Sequence, residues 1–261
     1  MRHLLINADD CGASPEVNAA IFGLMADGLL RSTTLLANAP AIDAALARCR
    51  AFPGVSFGIH LNVTEFAPLS GHPGLAPLLD ASGRLCGDPR HLPLTAALQE
   101  GIYQEWCAQI ETLLQAGVTP SHMDSHHHVH TAPGLLPVVK RLQRRYGIHR
   151  VRNTRTLYHP TARLGSRGLL WKKRLWTAVL TLWPPFTRSP RYFTDLDTFV
   201  QLEALGRLPA QGTFELMVHP GYPGSVAEEH SLRSHALLRQ AAAGDIACGA
   251  RLISYHQLDE S

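Results

Sequence analysis

Several short apolar runs of this chain stop at acidic or imidazole side chains, and that pattern narrows the folds open to it. His3-Leu4-Leu5-Ile6-Asn7 is a run of the kind a buried parallel strand needs, and it leads into Ala8-Asp9-Asp10-Cys11-Gly12. Val55 to Asn62 reads as another strand with His60 and Asn62 at its far end, and Thr213 to Val218 as one ending in His219, where Pro220-Gly221 breaks it. Ser32–Asn38, Arg150–Asn153 and Arg251–Tyr255 add further strands. Helices alternate with them. Ser14 and Pro15 form a cap and a first helical position for a helix to about Asp27, with Gly28 behind it. Ala41–Arg50, Leu94–Ala116, Pro137–Tyr146 and His230–Ala243 continue the alternation, and Leu98, Ile102, Trp106, Ile110 and Leu113 give the second of these a packing face. Polar groups gathered at strand C-terminal ends are how parallel α/β sheets and barrels build sites. About seven strands in a chain of this length predict an α/β, TIM-barrel-like fold, a distorted or incomplete β/α barrel forming one domain over 1–261, in place of an open doubly wound sheet.

The segment Ser121–His130 carries five imidazoles and one carboxylate, too many ionisable groups for a buried core strand. If extended, it places His126, His128 and His130 on one face and His127 and Val129 on the other. That suits a metal or proton-transfer site, against the plainer reading of a solvated loop. A turn or capping role accounts for one of Asp9 and Asp10 but not both. At a strand end the pair can diverge, one binding a cation and the other accepting a proton. Arg152 either faces a substrate or pairs with a surface acid. The Pro- and Gly-rich stretch Glu65–Cys86 is long for a connector and reads as part of a binding mouth.

Composition sets outer limits. With 45% hydrophobic residues the chain can bury a sizeable core, and a net charge of +3 does not imply a nucleic-acid partner. Five scattered cysteines without a C-x-x-C pair suggest neither a zinc knuckle nor a disulfide framework. The apolar opening is too short for a signal peptide, so a cytoplasmic enzyme is the default. No G-x-G-x-x-G follows the first strand and H-E-x-x-H is absent, so neither nucleotide binding nor a helix-borne zinc protease is expected, and a serine hydrolase is not expected either.

Gly168–Phe186 is the least typical stretch. Three of the four tryptophans lie in it (Trp171, Trp176, Trp183) among Leu169, Leu170, Leu175, Val179, Leu180 and Leu182, around the cations Lys172, Lys173 and Arg174. It is either a helix packing on the core or on a dimer partner, or an amphipathic segment that meets a lipid surface or a lipid-bearing substrate. The cations rule out a transmembrane span.

Asn7-Ala-Asp-Asp-Cys-Gly12, Gly58-Ile-His-Leu-Asn62, His122-Met-Asp-Ser-His-His-His-Val-His130 and Val218-His-Pro-Gly-Tyr222 together resemble the YdjC-like carbohydrate deacetylases, a family that includes chitooligosaccharide and hopanoid-associated deacetylases. The match covers nearly the whole chain in order, and its four motifs are jointly specific. The resemblance implies a TIM-barrel-like fold and metal-dependent removal of an acetyl group from an N-acetylated sugar. It places the metal ligands at Asp10, His60 and His126. A more distant analogy with NodB-type polysaccharide deacetylases makes Asp9 the general base and His219, on an opposite strand, the general acid. Asp124 would then orient a histidine, while Asn62, His128, His130, Arg152 and Tyr222 would support the ligands or meet the sugar. One divalent ion is implied, zinc by ligand softness or magnesium by family habit. Cys11 stands where the family usually has Phe. Thr154–Tyr192 is more like the hopanoid-associated branch, which leaves both a soluble oligosaccharide and a glycolipid open as substrate. A metallohydrolase of another bond, such as a phosphoester, would want more Lys and Arg near the strand ends. A non-catalytic sugar- or metal-binding protein would not need both Asp9 and His219.

Overall fold

The first apolar run forms the centre of the sheet, β1 (Arg2–Cys11), in a computed structural model that describes residues 1–153, 155–162 and 167–260. It is followed by α1 (Pro15–Ala26), β2 (Ser32–Leu35), α2 (Ile42–Cys49), β3 (Ser56–Leu61), α3 (Ala96–Gln115), β4 (Met123–Ser125) and α4 (Leu136–Tyr146). Then come α5 (Arg167–Leu182), β5 (Tyr192–Asp195), α6 (Leu196–Ala204), β6 (Gly212–Val218), α7 (Val226–Ser234), α8 (Ala236–Ala242) and β7 (Ala250–Leu252). The helix starts follow local chemistry. Ser14 Oγ accepts the Val17 N–H at 3.2 Å ahead of Pro15, and Thr95 Oγ1 accepts the Leu98 N–H at 3.2 Å. At the other end of α4, Gly147 takes the left-handed conformation (φ 68°) that closes the helix.

All paired strands run parallel, in the order β4-β3-β2-β1-β6-β5. β6 follows β1 from Arg2 to Ala8, so the other edge of β1 is shared by β7 at Arg2–Leu4 and β2 from Asn7 onward. Between the outer strands, among the described residues, the sheet closes through single parallel bridges: Met123 with Val151, Arg150 with Arg188, and Thr156 with Phe193 of β5. The result is a distorted β/α barrel, as its strand and helix alternation predicts. The strand expected over Arg150–Asn153 is reduced to these bridges, because Asn153 Oδ1 accepts the Arg155 N–H at 2.7 Å and turns the chain.

Side-chain alternation decides what the barrel holds. Leu4, Ile6 and Ala8 of β1, Phe57, Ile59 and Leu61 of β3, and Phe214, Leu216 and Val218 of β6 join the main apolar core with the helices. The intervening residues point the other way and include polar groups, Asn7 and Asp9 toward the end of β1, His60 toward the end of β3, and Glu215 midway along β6. Leu5, opposite Glu215 in register, packs with Ile253, Tyr255 and Leu258 in a separate small cluster. Trp106, fully buried on α3, is among the largest side chains in the core, and burying one such residue contributes roughly 1.5–3 kcal/mol or more.

Two helical expectations change. The helix expected over His230–Ala243 is two, broken at His235, whose ψ of 121° is extended. Leu232 and Leu237 would lie about 140° apart on a continuous helix, and the break lets both be buried. The Trp-rich stretch is helical, but its apolar residues divide. Trp176 and Leu180 are buried, while Trp171, Leu175 and Leu182 face solvent. The side chains of Leu169, Leu170 and Lys172 lie outside the described residues. Lys140 Nζ, almost fully buried, donates to Leu180 O at 2.6 Å, Pro185 O at 2.9 Å and Thr187 Oγ1 at 2.8 Å, placing a cation at the C-terminus of α5. Burial pushes its amine down to about 8.

Candidate active site

β1 does not end as a regular strand. Its register with β2 slips between Ala8 and Cys11, and Asp10 sits at φ 63°, a left-handed conformation costly for a residue with a Cβ. That irregularity sends the two aspartates to different partners. Asp9 turns into the barrel, where its Oδ2 and Oδ1 accept Arg152 Nη1 and Nη2 at 2.7 Å each, and Asn7 Nδ2 adds a bond at 2.9 Å. Asp10 turns toward the histidines, with its Oδ1 3.2 Å from His60 Nε2 and 2.9 Å from His126 Nδ1, while Tyr222 Oη donates to Oδ2 at 3.0 Å.

His60 is brought in by β3. Gly58, two residues earlier, has no room for a Cβ, because one would meet the His122 ring at 2.4 Å. His60 Nδ1 donates to Asp124 Oδ1 at 2.6 Å, which fixes the ring and aims Nε2 at Asp10. His126 opens a tight turn after the short β4, not a longer strand. His127 (φ 51°) and His128 (φ 56°) are both left-handed, so the expected alternation of His126, His128 and His130 on one face is not realised.

Asp9, Asp10, His60, His126, His128, His219 and Tyr222 all line one cavity of about 590 Å³, with Glu65, Arg90, Ser125, His127 and Met217. The other expected residues stand behind it. His130 is buried, with Ser125 Oγ at 2.6 Å from Nδ1 and Nε2 3.2 Å from the Arg152 carbonyl, so it holds the turn and does not reach the cavity. Asn62 ties down the loop that carries Glu65, donating to its carbonyl at 2.8 Å and accepting the Thr64 N–H at 2.9 Å. Arg152 meets neither a substrate nor a surface acid. It is 1% exposed and bonded to Asp9, to Asp124 Oδ2 at 2.8 Å and to Glu215 Oε1 at 2.7 Å. His219 follows β6, which pairs directly with β1 (Val218 opposite Ala8), so it neighbours Asp9 and does not face it across the barrel.

The electrostatics follow from these contacts. Burial alone would raise the Asp9 carboxyl, but the Arg152 guanidinium outweighs it and holds the group below the ordinary carboxylate range. Burial acts on Asp10 in the same direction and is likewise overcome, by hydrogen bonds and charge from His126 and His60. Burial would lower His60, yet Asp124 and Asp10 raise it well above the usual imidazole value. Glu215 is pushed up to about 7 by burial against the pull of Arg152, and Tyr255 Oη donates to it at 2.7 Å. Its signal was visible as a lone acid inside the apolar run Thr213–Val218. Glu65 has no comparable sequence mark beyond opening the loop.

Asp10, His60 and His126 offer ligand atoms that all lie within 4.8 Å of one another. With Nδ1 of His60 committed as a donor, its Nε2 and Asp10 Oδ1 are two acceptors converging unless a proton or a cation stands between them. His126 faces Asp10 with Nδ1, while its buried Nε2 makes no hydrogen bond and lies 3.5 Å from Glu65 Oε2. Two imidazoles and one carboxylate in this state fit a divalent cation of borderline softness. Cys11 takes no part. It is buried, its Sγ lies 3.8 Å from Asn18 Oδ1, and burial pushes the thiol up, so it acts as a small filler. Gly54-Val55-Ser56-Phe57-Gly58 does spell G-x-S-x-G, but Ser56 opens β3, is buried, and donates to Arg31 O at 3.1 Å, so it is no exposed nucleophile on a strand-to-helix turn.

His130 gives the site a measurable acid sensitivity. Burial holds its imidazole down at about 3, against an ordinary value near 6.5. A depressed histidine contributes stability in full above the unfolded value and loses it as pH falls toward the folded one. Between pH 7 and pH 5 this group alone should lower the unfolding free energy by about 2 kcal/mol. Urea titrations across that range check it, and His130→Gln should flatten the dependence by about one proton.

Residues 3–249 match the family described as YdjC-like protein. The chain belongs to the YdjC-like family. The chain is 32% identical over 231 residues to a carbohydrate deacetylase of Halalkalibacterium halodurans, covering 87% of this chain and 89% of that protein. It is 34% identical over 225 residues to a carbohydrate deacetylase of Geobacillus stearothermophilus, covering 85% and 80%. Among solved structures, a protein of Enterococcus faecalis V583 described as a cellobiose-phosphate cleavage protein is 25% identical, with a TM-score of 0.73 over 98% of each chain. Among the described residues, no helix is long and apolar enough to cross a membrane.

Proposed function

We propose that this YdjC-like protein removes the acetyl group from an N-acetylated sugar, with a divalent cation at Asp10, His60 and His126, Asp9 as general base and His219 as general acid. The observation that carries the reading is the single cavity in which this convergent donor set is flanked by Asp9 and His219. The relatives named carbohydrate deacetylase supply the substrate class.

A cation so held would lend Lewis acidity to the acetamide carbonyl and make a water more acidic, whether the ion is zinc or magnesium. The rest falls to the chain. Asp9, kept ionised by Arg152, takes a proton from water as its oxygen bonds to the carbonyl carbon. His219 gives a proton to the sugar nitrogen as the C–N bond breaks, leaving acetate and a free amine. Tyr222 keeps its donor on Asp10, because burial raises its phenol. Asp124 keeps the His60 ring in one tautomer.

A phosphoester substrate is less well served. Arg90 is the one Lys or Arg lining the cavity among the described residues, and its guanidinium is already taken by Asp88, with Nη2 2.6 Å from Oδ2. The test is a panel of N-acetylglucosamine oligomers, an N-acetylglucosaminyl lipid and a phosphorylated disaccharide, assayed for acetate, free amine and phosphate. Acetate and amine in equal amounts are expected. Phosphate release without acetate would replace the reading.

A further inference from the structure

From Ser125 to Thr194 the chain has no Asp or Glu and fourteen Lys and Arg, while the remainder holds all 21 acids against ten Lys and Arg. Some of these cations are spent inside the fold or on acids from elsewhere, Arg152 on three carboxylates and Arg141 and Arg145 on Glu100 and Glu111, while Arg155, Arg174 and Arg191 are exposed. α5 lies within this stretch.

The same stretch of chain exposes large apolar side chains. Trp171 is 70% exposed, Leu182 and Phe186 68% each, Leu175 57% and Trp183 46%. Trp171, Leu175 and Leu182 recur at helical spacing on the outer side of α5, and Trp183 and Phe186 extend the stripe into the following turn. The helix is not short of core contacts. Its inner side buries Trp176 and Leu180, with the Trp176 indole 6.2 Å from the His130 ring. Lys140 and Arg144, which donates to Pro184 O at 2.9 Å, fix the turn that holds Trp183 and Phe186 outward. Exposed Arg174 and Arg191 lie in the same stretch of chain.

We propose that α5 and the turn behind it dock this protein on an anionic lipid bilayer, the apolar stripe entering the interface and the surrounding cations meeting the headgroups. Charge complementarity selects this occupant. A second copy joined about a two-fold axis would set the same cationic stretch against itself. A nucleic acid would use the cations but would leave the aliphatic Leu175 and Leu182 without a role, whereas an interfacial helix needs both.

The test is cosedimentation of the full chain with vesicles rich in phosphatidylglycerol and with vesicles of phosphatidylcholine alone. Binding to the anionic vesicles only is expected, with release at about 0.5 M NaCl, where charges are screened beyond about 4 Å. Trp171→Ser combined with Phe186→Ser should weaken partition about tenfold or more at an unchanged circular dichroism spectrum. Arg174→Glu combined with Arg191→Glu should weaken binding to anionic vesicles by a similar factor. Absence of binding to anionic vesicles, or binding indifferent to the apolar pair, overturns the proposal. A doubled mass in light scattering that the apolar substitutions abolish would assign the stripe to a second copy instead. Retention on single-stranded DNA equal to that on vesicles, and indifferent to the apolar pair, would assign the cations to a polyanion.

Discussion

Arg152→Met should lower the unfolding free energy at neutral pH by about 3–5 kcal/mol, the range for leaving buried charge unpaired. One guanidinium here serves three buried carboxylates, Asp9, Asp124 and Glu215, each within 2.8 Å. Their burial is tolerable only while it is present. The pH dependence should change with the substitution. In the natural chain Asp9 sits below its unfolded value, so its contribution is complete at neutral pH and is lost on acidification. Without Arg152 nothing outweighs the burial of Asp9, its carboxyl moves above its unfolded value beside the already raised Glu215, and the variant should gain more stability than the natural chain as pH falls from about 7 to 5. Arg152→Lys should recover only part of the loss, because a point charge cannot satisfy three partners in fork geometry. Urea titrations read all three effects, and a loss for Arg152→Met below about 1 kcal/mol would show that the network is not held by this residue.

Asp9→Asn should reduce turnover in acetate release by roughly 10²–10⁴-fold, the usual contribution of a placed general base. Its structural cost should be smaller than that of Arg152→Met, since Arg152 keeps Asp124 and Glu215. Metal affinity should change little, because Asp9 is turned away from the Asp10 side of the strand end. Arg152 also limits Asp9: the pairing that keeps it ionised and aimed makes it a weak base. The acid limb of the pH–rate profile should therefore not belong to Asp9. Full turnover in a folded Asp9→Asn protein would remove Asp9 from the chemistry.

What could be read along the chain was whatever local chemistry decides. Ser14-Pro15, Thr95 and Gly147 mark helix ends, and the apolar runs mark strands, because each depends on neighbours a few residues away. Asp10, His60 and His126 converge because three strand ends on one face carry them. The histidine segment is a strand only over Met123–Ser125, and the turn that ends it is not legible, because two consecutive left-handed residues, His127 and His128, leave no periodic trace. The setting of Arg152 is hidden for a different reason. Its partners Asp124, Glu215 and Asp9 lie 28, 63 and 143 residues away, and nothing in Arg150-Val151-Arg152-Asn153 says that the barrel interior at that height is acidic. The setting of His219 beside Asp9 depends on β6 pairing with β1, a crossover that the order of strands in the chain does not disclose.

Metal content and affinity of His60→Ala beside the natural chain, read by elemental analysis and by calorimetric titration with zinc and magnesium after chelation, test the account most directly, with acetate release followed on the same samples. One divalent ion per natural chain is expected, with affinity and acetate release both lost in His60→Ala while the fold persists. A His60→Ala protein that binds the ion with unchanged affinity, or a chelated natural chain that still releases acetate at its full rate, would contradict it.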